Sequence, residues 1–148
     1  MTRLDEPVER YLRHAVREGA RPGGGVRLAM SGRIKVGLWL PFTAVETCDG
    51  RSFLWQARAA RGPLAVTDRY AAGEGSTEGR LLGRVRLFHS ADPDTTRSAA
   101  GRAALEAIWA PASLMPQHGV AWRAESDEVI VAAWDVPPER PEIHLHID

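Results

Sequence analysis

The chain has 148 residues and carries 19 basic and 19 acidic side chains, so its formal net charge is zero at pH 7. Since one domain usually has roughly 100 to 150 residues, we expect residues 1–148 to form one domain. A balanced charge gives no overall field that would attract nucleic acid, so the sequence predicts a protein without a nucleic-acid partner.

Cysteine use and apolar segments indicate the compartment. Cys48 is the only cysteine, so the chain cannot form an internal disulfide and does not require an oxidising environment. No segment has the roughly 20 apolar residues of a membrane span, and residues 1–13 lack the apolar core of a signal peptide. The sequence therefore predicts a cytoplasmic protein with no membrane span.

Apolar side chains at three- and four-residue steps predict a helix over residues 5–18. Pro7 falls in its first turn, and Gly19 follows its last turn. The run of arginine, proline and glycine at 21–25 then predicts a loop. The apolar side of this helix consists of Val8, Tyr11, Leu12, Ala15 and Val16.

Alternating apolar and polar side chains predict a meander of strands through the middle of the chain. In the second strand, Pro41 indicates an edge position or a bulge. Asp49-Gly50 is a hairpin signal, and the glycine-rich stretch 73–79 is either a loop or a weak polar strand. The strands are predicted at about 26–36, 38–47, 52–60, 64–70 and 81–89.

The period changes after residue 90. Asp94, Thr95 or Thr96 is predicted to cap a helix over about 97–109, which Pro111 ends. Because the last predicted strand reaches the end of the chain, we expect the chain to lack C-terminal strands of a longer domain. The closing strands are predicted at about 120–125, 128–136 and 142–147.

Hairpin-linked strands with two helices favour an α+β fold, because they lack the crossovers of a parallel sheet. We expect a curved, mainly antiparallel sheet, like a half-barrel, with an N-terminal helix and a second helix packed across the concave face. The glycines of 73–79 are followed by no phosphate-binding motif, and no cofactor is predicted.

A curled sheet beneath a helix favours a cavity for a small apolar molecule. Tryptophans are predicted to form its walls and Arg69 and Arg102 to hold a polar end, since arginine offers a planar fork to an anion. The alternative is that the aromatic side chains simply fill the core. The predicted ligand-binding residues are Trp39, Trp55, Arg69, Tyr70, Arg102, Trp109 and Trp122.

Weaker patterns suggest catalysis or metal binding. His89 could move a proton beside Asp68 or Glu106, although no spacing fixes that geometry. His144 and His146 share one strand face, which is a spacing found in metal sites. The sequence fixes no third ligand, although His89 or His118 could supply one in space, and two exposed histidines on an edge strand need no metal.

Three segments carry a resemblance to a known family. They are Pro7–His14, which follows the pattern P-x-x-x-x-R-Y-x-x-H apart from one spacing difference; Trp39–Ala44; and Arg97–Pro111, followed by Leu114–Pro116. These segments resemble an uncharacterised bacterial domain family, common in actinobacteria, over nearly the whole chain. The resemblance implies a longer domain, and a sheet similar to the half-barrel of lipoprotein carriers. It implies no activity.

Three functional hypotheses follow. The first is a carrier or sensor that binds a small apolar or amphipathic molecule between the sheet and the second helix. The second is a cofactor-independent cyclase or isomerase that uses the same cavity. The third is an interaction domain in which a partner or a second copy supplies the missing strands, for example in a homodimer or another homo-oligomer.

Overall fold

The computed structural model describes residues 3–20 and 24–148, so residues 21–23 of the predicted loop lie outside the described residues. It confirms the predicted α+β class, with antiparallel strands and two helices. No helix within the described ranges is long and apolar enough to cross a membrane. The elements are α1 (Glu6–Ala15), β1 (Val26–Val36), β2 (Leu38–Cys48), β3 (Phe53–Ala59), β4 (Leu64–Ala71), β5 (Glu74–Leu81), β6 (Val85–Ser90), α2 (Pro93–Glu106), β7 (Ala121–Ala124), β8 (Val129–Ala133) and β9 (Glu142–His146).

Strands β1 to β6 form an antiparallel sheet in sequence order, and β1 and β6 do not pair with each other, so the sheet is open. Strands β7 to β9 form a second sheet of three strands. The sequence pattern predicted these last strands but gave no sign that they leave the first sheet. Alternation reports which face a side chain occupies, whereas strand partners depend on distant residues.

Strand β2 lies inside the sheet, but its first residues, up to Pro41, pair only with β1. Pro41 therefore has a local edge position, because β2 pairs with β3 only from Phe42 onward. The carbonyl of Pro41 accepts a hydrogen bond from the Ala60 N–H at 3.0 Å, on the β3 side. The missing N–H of the proline points to that same side, so no ladder bond to β1 is lost.

The glycine-rich stretch 73–79 lies largely in β5, so of the two predicted alternatives, a loop or a weak polar strand, it forms the strand. A Cβ atom on Gly75 would lie 2.7 Å from the Ala99 Cβ, so the glycine allows α2 to approach the strand closely. Gly79 lies beneath the ring of Phe88, which covers the space a side chain would occupy. The predicted strand 81–89 is divided, because a turn separates β5 from β6.

Helix α2 begins at Pro93, four residues before the predicted start. Its N-cap is Asp92, whose carboxylate accepts a hydrogen bond from the Thr95 N–H at 2.7 Å. The predicted caps Asp94, Thr95 and Thr96 are therefore wrong, and Pro93 takes the first helical position, where its missing N–H is harmless. The side chains that α2 packs on the sheet are small and buried: Ala99, Ala100, Ala103, Ala104 and, just after the helix, Ala107.

A shared core joins the two sheets. Trp134, just after β8, is fully buried and donates its indole N–H to the Gly50 carbonyl at 2.9 Å, in the turn between β2 and β3. On the second sheet, Ile130 packs with Val8 and Leu12 of α1. The second sheet is thus held between α1 and the core it shares with the first sheet.

The meander places its turns at two ends of the first sheet, because consecutive strands run in opposite directions. The turns at 49–52 and 72–73 lie at the end where α2 packs, since Gly50 meets Ala107 and Gly75 meets Ala99. The turns at 37, 60–63 and 82–84 lie at the opposite end. We call these two ends the α2 end and the hairpin end.

Candidate functional site

Strand pairing brings four side chains into one row across the first sheet. Glu46 on β2 pairs with Trp55 on β3, and Trp55 pairs with Asp68 on β4. Asp68 in turn pairs with Thr77 on β5. Because paired residues of neighbouring strands point to the same face, these side chains all lie on the face that α2 covers.

Arg102 reaches this row from α2. Its Nη1 donates to Asp68 Oδ2 at 2.5 Å, and its Nη2 lies 3.4 Å from both carboxylate oxygens of Glu46. Its Nε donates to Glu106 Oε1, one helical turn further along, at 2.5 Å. We call these four residues, Arg102, Glu46, Asp68 and Glu106, the arginine–carboxylate cluster.

Two aromatic rings lie beneath the guanidinium of Arg102. Its central carbon lies 4.5 Å from the centre of the Phe53 ring and 5.5 Å from the Trp55 ring. A cation over an aromatic face is attracted by the ring quadrupole, and more strongly where water is excluded. The rings therefore hold the arginine in place together with the carboxylates.

The cluster carries more negative than positive charge, because three carboxylates surround one guanidinium. Glu46 is 3% exposed, and burial raises its pKa; Arg102 acts in the opposite direction, and the charge of Asp68 raises the pKa further. The Glu106 Oε2 atom is buried and has no hydrogen-bond partner among the described residues. The cluster therefore has unused capacity to accept hydrogen bonds.

The raised pKa of Glu46 predicts how stability depends on pH. Between the ordinary value of 4.5 and the higher folded value, the folded state holds a proton that the unfolded state has lost, so stability falls as pH rises. Replacing Glu46 with glutamine removes this proton uptake. We expect Glu46→Gln to become more stable relative to the wild type as pH rises above about 4.5, measured by urea unfolding at several pH values. A difference that stays constant with pH would contradict the raised pKa.

A cleft of about 370 Å³ opens beside the cluster, between α2 and strands β4 and β5. Its size lies in the range of small-molecule sites, which is roughly 300 to 1,000 Å³. Hydroxyl and carboxylate groups line most of it, so it is more polar than the predicted cavity. The lining residues are Asp68, Thr77, Asp94, Thr95, Ser98, Ala99 and Arg102.

Apolar side chains continue from the cleft toward the hairpin end, on the same face of the sheet. Strand pairing places Val66, Leu81, Val85 and Phe88 there, and the last three are among the exposed large apolar side chains. We call these four residues the inner strip. The cleft and the inner strip together form a surface that is polar at one end and apolar at the other.

The other half of this face is covered by the protein's own rings. The centres of Phe42 and Trp55 lie 6.2 Å apart, and Ala44 and Ala57 are buried on the same two strands. Ala44 and Ala57 pair with each other, Phe42 lies in the pair on one side of them, and Trp55 lies in the pair on the other side. The two aromatic rings therefore meet over the two alanines. Between these rings and the hairpin end of β4, β5 and β6, the inner strip keeps its apolar side chains open to solvent.

The structure brings together Trp55, Asp68, Arg102 and Glu106 from the predicted site residues. Two predicted aromatic residues lie apart from this cluster on the surface. Trp39 is exposed at the hairpin end, and Trp109 lies in a 3-10 turn just after α2, where 56% of it is exposed.

Three other predicted ligand-binding residues are engaged elsewhere. Arg69 points to the opposite face of the sheet and donates to the Ser76 hydroxyl at 3.0 Å. Tyr70 is buried and donates its hydroxyl to the Pro137 carbonyl. Trp122 lies on β7 of the second sheet, where its ring is 5.7 Å from that of Tyr11 and its indole donates to the Leu114 carbonyl.

The histidines lie apart from the cluster. His89 pairs with Glu78, so it points to the face opposite Asp68. His144 and His146 are both exposed on β9, and His144 Nδ1 lies 3.3 Å from a Glu125 oxygen. Across residues 3–20 and 24–148, no group of three histidine, cysteine or acidic side chains has an arrangement that could hold a metal ion.

Sequence reasoning missed Glu46, the most deeply buried member of the cluster. A signal was available in the sequence. Glu46 lies two residues after Ala44 and two before Cys48, and side chains two residues apart on a strand point to the same face, here the inward one. Cys48 beside it is a poor nucleophile, since burial and the charges of Glu46 and Asp49 raise the pKa of its thiol.

These observations define an α+β protein whose open antiparallel sheet holds a half-buried arginine–carboxylate cluster beneath a helix. The chain belongs to a family of unknown function, DUF6544, whose model matches residues 1–148. The predicted membership of an uncharacterised domain family is thereby confirmed. Neither the curated proteins nor the solved structures include one that matches the chain.

Proposed function

We propose that the protein binds a small amphipathic molecule, with the polar end in the cleft at Asp68 and the apolar part along the inner strip. The observation that carries this proposal is the cleft of about 370 Å³ beside an arginine–carboxylate cluster with an excess of carboxylates. A carrier or sensor needs such a surface, on which both ends of the guest find partners.

The charge of the cluster selects the polar end of the guest. Arg102 already donates to Asp68 and Glu106 and faces Glu46, so little of its charge is left for an anion. Asp68 lines the cleft, and its side chain is 26% exposed. An amine or another hydrogen-bond donor therefore fits this cleft better than a carboxylate or a phosphate.

The inner strip supplies the apolar contact. Val66, Leu81, Val85 and Phe88 extend from the cleft toward the hairpin end. Covering apolar surface contributes roughly 25 cal/mol for each Å² removed from water, so an alkyl chain along the strip adds affinity without a specific partner. The arrangement favours guests that combine a short cationic head with an apolar tail.

Calorimetric titration with dodecylamine and dodecanoate tests this proposal, because the two probes share an alkyl chain and differ in the sign of their charge. We expect the amine to bind and the carboxylate to bind at least about tenfold more weakly. Asp68→Asn should weaken binding of the amine by about tenfold, since it removes the carboxylate that lines the cleft.

Asp135→Asn is the matched control, because Asp135 is an exposed carboxylate paired with Arg140 away from the cleft. It removes the same charge and should leave binding of the amine unchanged. Equal affinities for both probes, or an equal effect of both variants, would contradict the proposal.

The enzyme alternative stays a prediction, and one observation favours it. Glu46 is buried, has a raised pKa and shares the Arg102 guanidinium with Asp68, which is an arrangement that can hold and release a proton. His89 does not take part in that arrangement, since it points to the other face. A cyclase or isomerase acting here would depend on Glu46, Asp68 and Glu106.

The homo-oligomer alternative also stays a prediction. Strand β6 is an edge strand of the open sheet, and its Val85, Leu87 and Phe88 side chains are exposed. Strand pairing with a second copy would use this edge, although the register shift near Arg80 bends it, which is a feature that opposes such pairing.

A further inference from the structure

The hairpin end of the first sheet concentrates basic side chains. This end consists of three turns with the adjoining strand ends, at residues 33–42, 57–65 and 79–88. It holds seven of the 19 basic residues of the chain and none of the 19 acidic residues. The overall neutrality of the chain hides this asymmetry. The seven residues are Arg33, Lys35, Arg58, Arg61, Arg80, Arg84 and Arg86.

Most of this charge is not neutralised within the protein. Glu78 pairs with Arg80 at 2.5 Å and with Arg86 at 2.9 Å. The other five basic side chains are exposed and form no ion pair with any of the described residues. The hairpin end therefore presents a net positive surface to solvent.

The same end exposes large apolar side chains at the tips of two hairpins. Leu38 is 75% exposed, Leu82 is 71% exposed and Trp39 is 58% exposed. Four strand spacings separate the two hairpins, which is roughly 19 Å along the sheet. The two leucines are the most exposed of the large apolar side chains whose exposure the structure describes.

We propose that the hairpin end docks on the surface of an anionic lipid bilayer. Basic side chains attract anionic headgroups, and aliphatic and indole side chains at the tips enter the headgroup region, where tryptophan is enriched. Nucleic acid would match the charge equally well, but it offers little to two exposed leucines. The inner strip begins at this end, so an apolar guest would pass to and from the bilayer beside Leu81 and Val85.

Co-sedimentation with vesicles tests the docking surface. We expect the full chain to bind vesicles of equal parts phosphatidylcholine and phosphatidylglycerol at physiological salt, and not vesicles of phosphatidylcholine alone. The double variant Arg33→Gln and Lys35→Gln should weaken this binding by about twenty-fivefold, since each basic residue near an anionic surface contributes about fivefold. Trp39→Ala should weaken it by about fivefold.

The matched control is the double variant Arg13→Gln and Arg17→Gln, which removes two exposed charges near the end of α1. It should bind the anionic vesicles as the wild type does. Asp68→Asn should do the same, so docking and guest binding are tested separately. Equal binding of all variants, equal binding to both vesicle types, or retention on duplex DNA without binding to anionic vesicles would overturn the proposal.

Discussion

Replacing Arg102 with methionine is expected to lower the free energy of unfolding by about 3 to 5 kcal/mol at pH 7. Within residues 3–20 and 24–148, Arg102 is the only cation in contact with Glu46, Asp68 and Glu106, and Glu46 is almost completely buried. Without the guanidinium, the ionised carboxylates repel one another and have no internal counter-charge. Methionine keeps most of the chain length over the Phe53 ring, so the loss reports on charge more than on packing.

The pH dependence of this variant separates an electrostatic effect from a packing effect. Arg102 lowers the pKa of Glu46, so loss of the guanidinium raises that pKa, and the folded variant takes up a proton at Glu46 more readily than the wild type as pH falls. The destabilisation should therefore shrink between pH 7 and pH 5, measured by urea unfolding. Arg69→Met is the control, because Arg69 is exposed on the opposite face, and it should stay within about 0.5 kcal/mol of the wild type. Similar losses for the two variants would contradict a central role for Arg102.

Replacing Trp134 with alanine is expected to cost about 3 to 5 kcal/mol of stability, because it empties a fully buried site in the core that joins the two sheets. The indole also donates to the Gly50 carbonyl, so the variant leaves that acceptor without its partner. Chemical unfolding followed by circular dichroism measures the change.

Two further variants separate the contribution of the Trp134 hydrogen bond from that of its burial. Trp134→Phe keeps an aromatic ring but loses the N–H donor, and we expect a loss of about 1 to 3 kcal/mol. Trp109→Ala removes an indole that is more than half exposed, so its cost should be below about 1 kcal/mol. A loss for Trp134→Ala as small as that for Trp109→Ala would show that the second sheet does not depend on this contact.

Local sequence patterns predicted the elements well. Alternation located β1 to its observed ends, and the helical period located both helices, although α2 begins earlier than predicted. The start was missed because several residues near it can act as caps. Pro93 was the deciding signal, since proline favours the first helical position and so identifies Asp92 as the cap.

The arrangement of the strands could not be predicted in the same way. Nothing in the alternation of residues 120–147 indicates that these strands pair with each other and not with β6. That outcome depends on contacts such as Trp134 with Gly50, which join residues 84 positions apart. The polarity of a strand gives its faces but not its neighbours.

The candidate site was predicted in part for the same reason. Arg102 and Glu106 are four residues apart on a helix, which the sequence shows directly. The approach of Glu46 and Asp68 to Arg102 depends on strand pairing across β2, β3 and β4. Trp39, Trp109 and Trp122 were included for their residue type alone, and residue type does not show which surface a side chain occupies.

We propose that the cleft and the inner strip hold an amphipathic guest with a donor at its polar end. Native mass spectrometry of the protein purified from its own host tests this most directly. We expect a species heavier than the 16.2 kDa chain by one small molecule, which carries a cationic or hydroxyl group and is absent from Asp68→Asn. A chain without added mass, or a dimer without added mass, would contradict it.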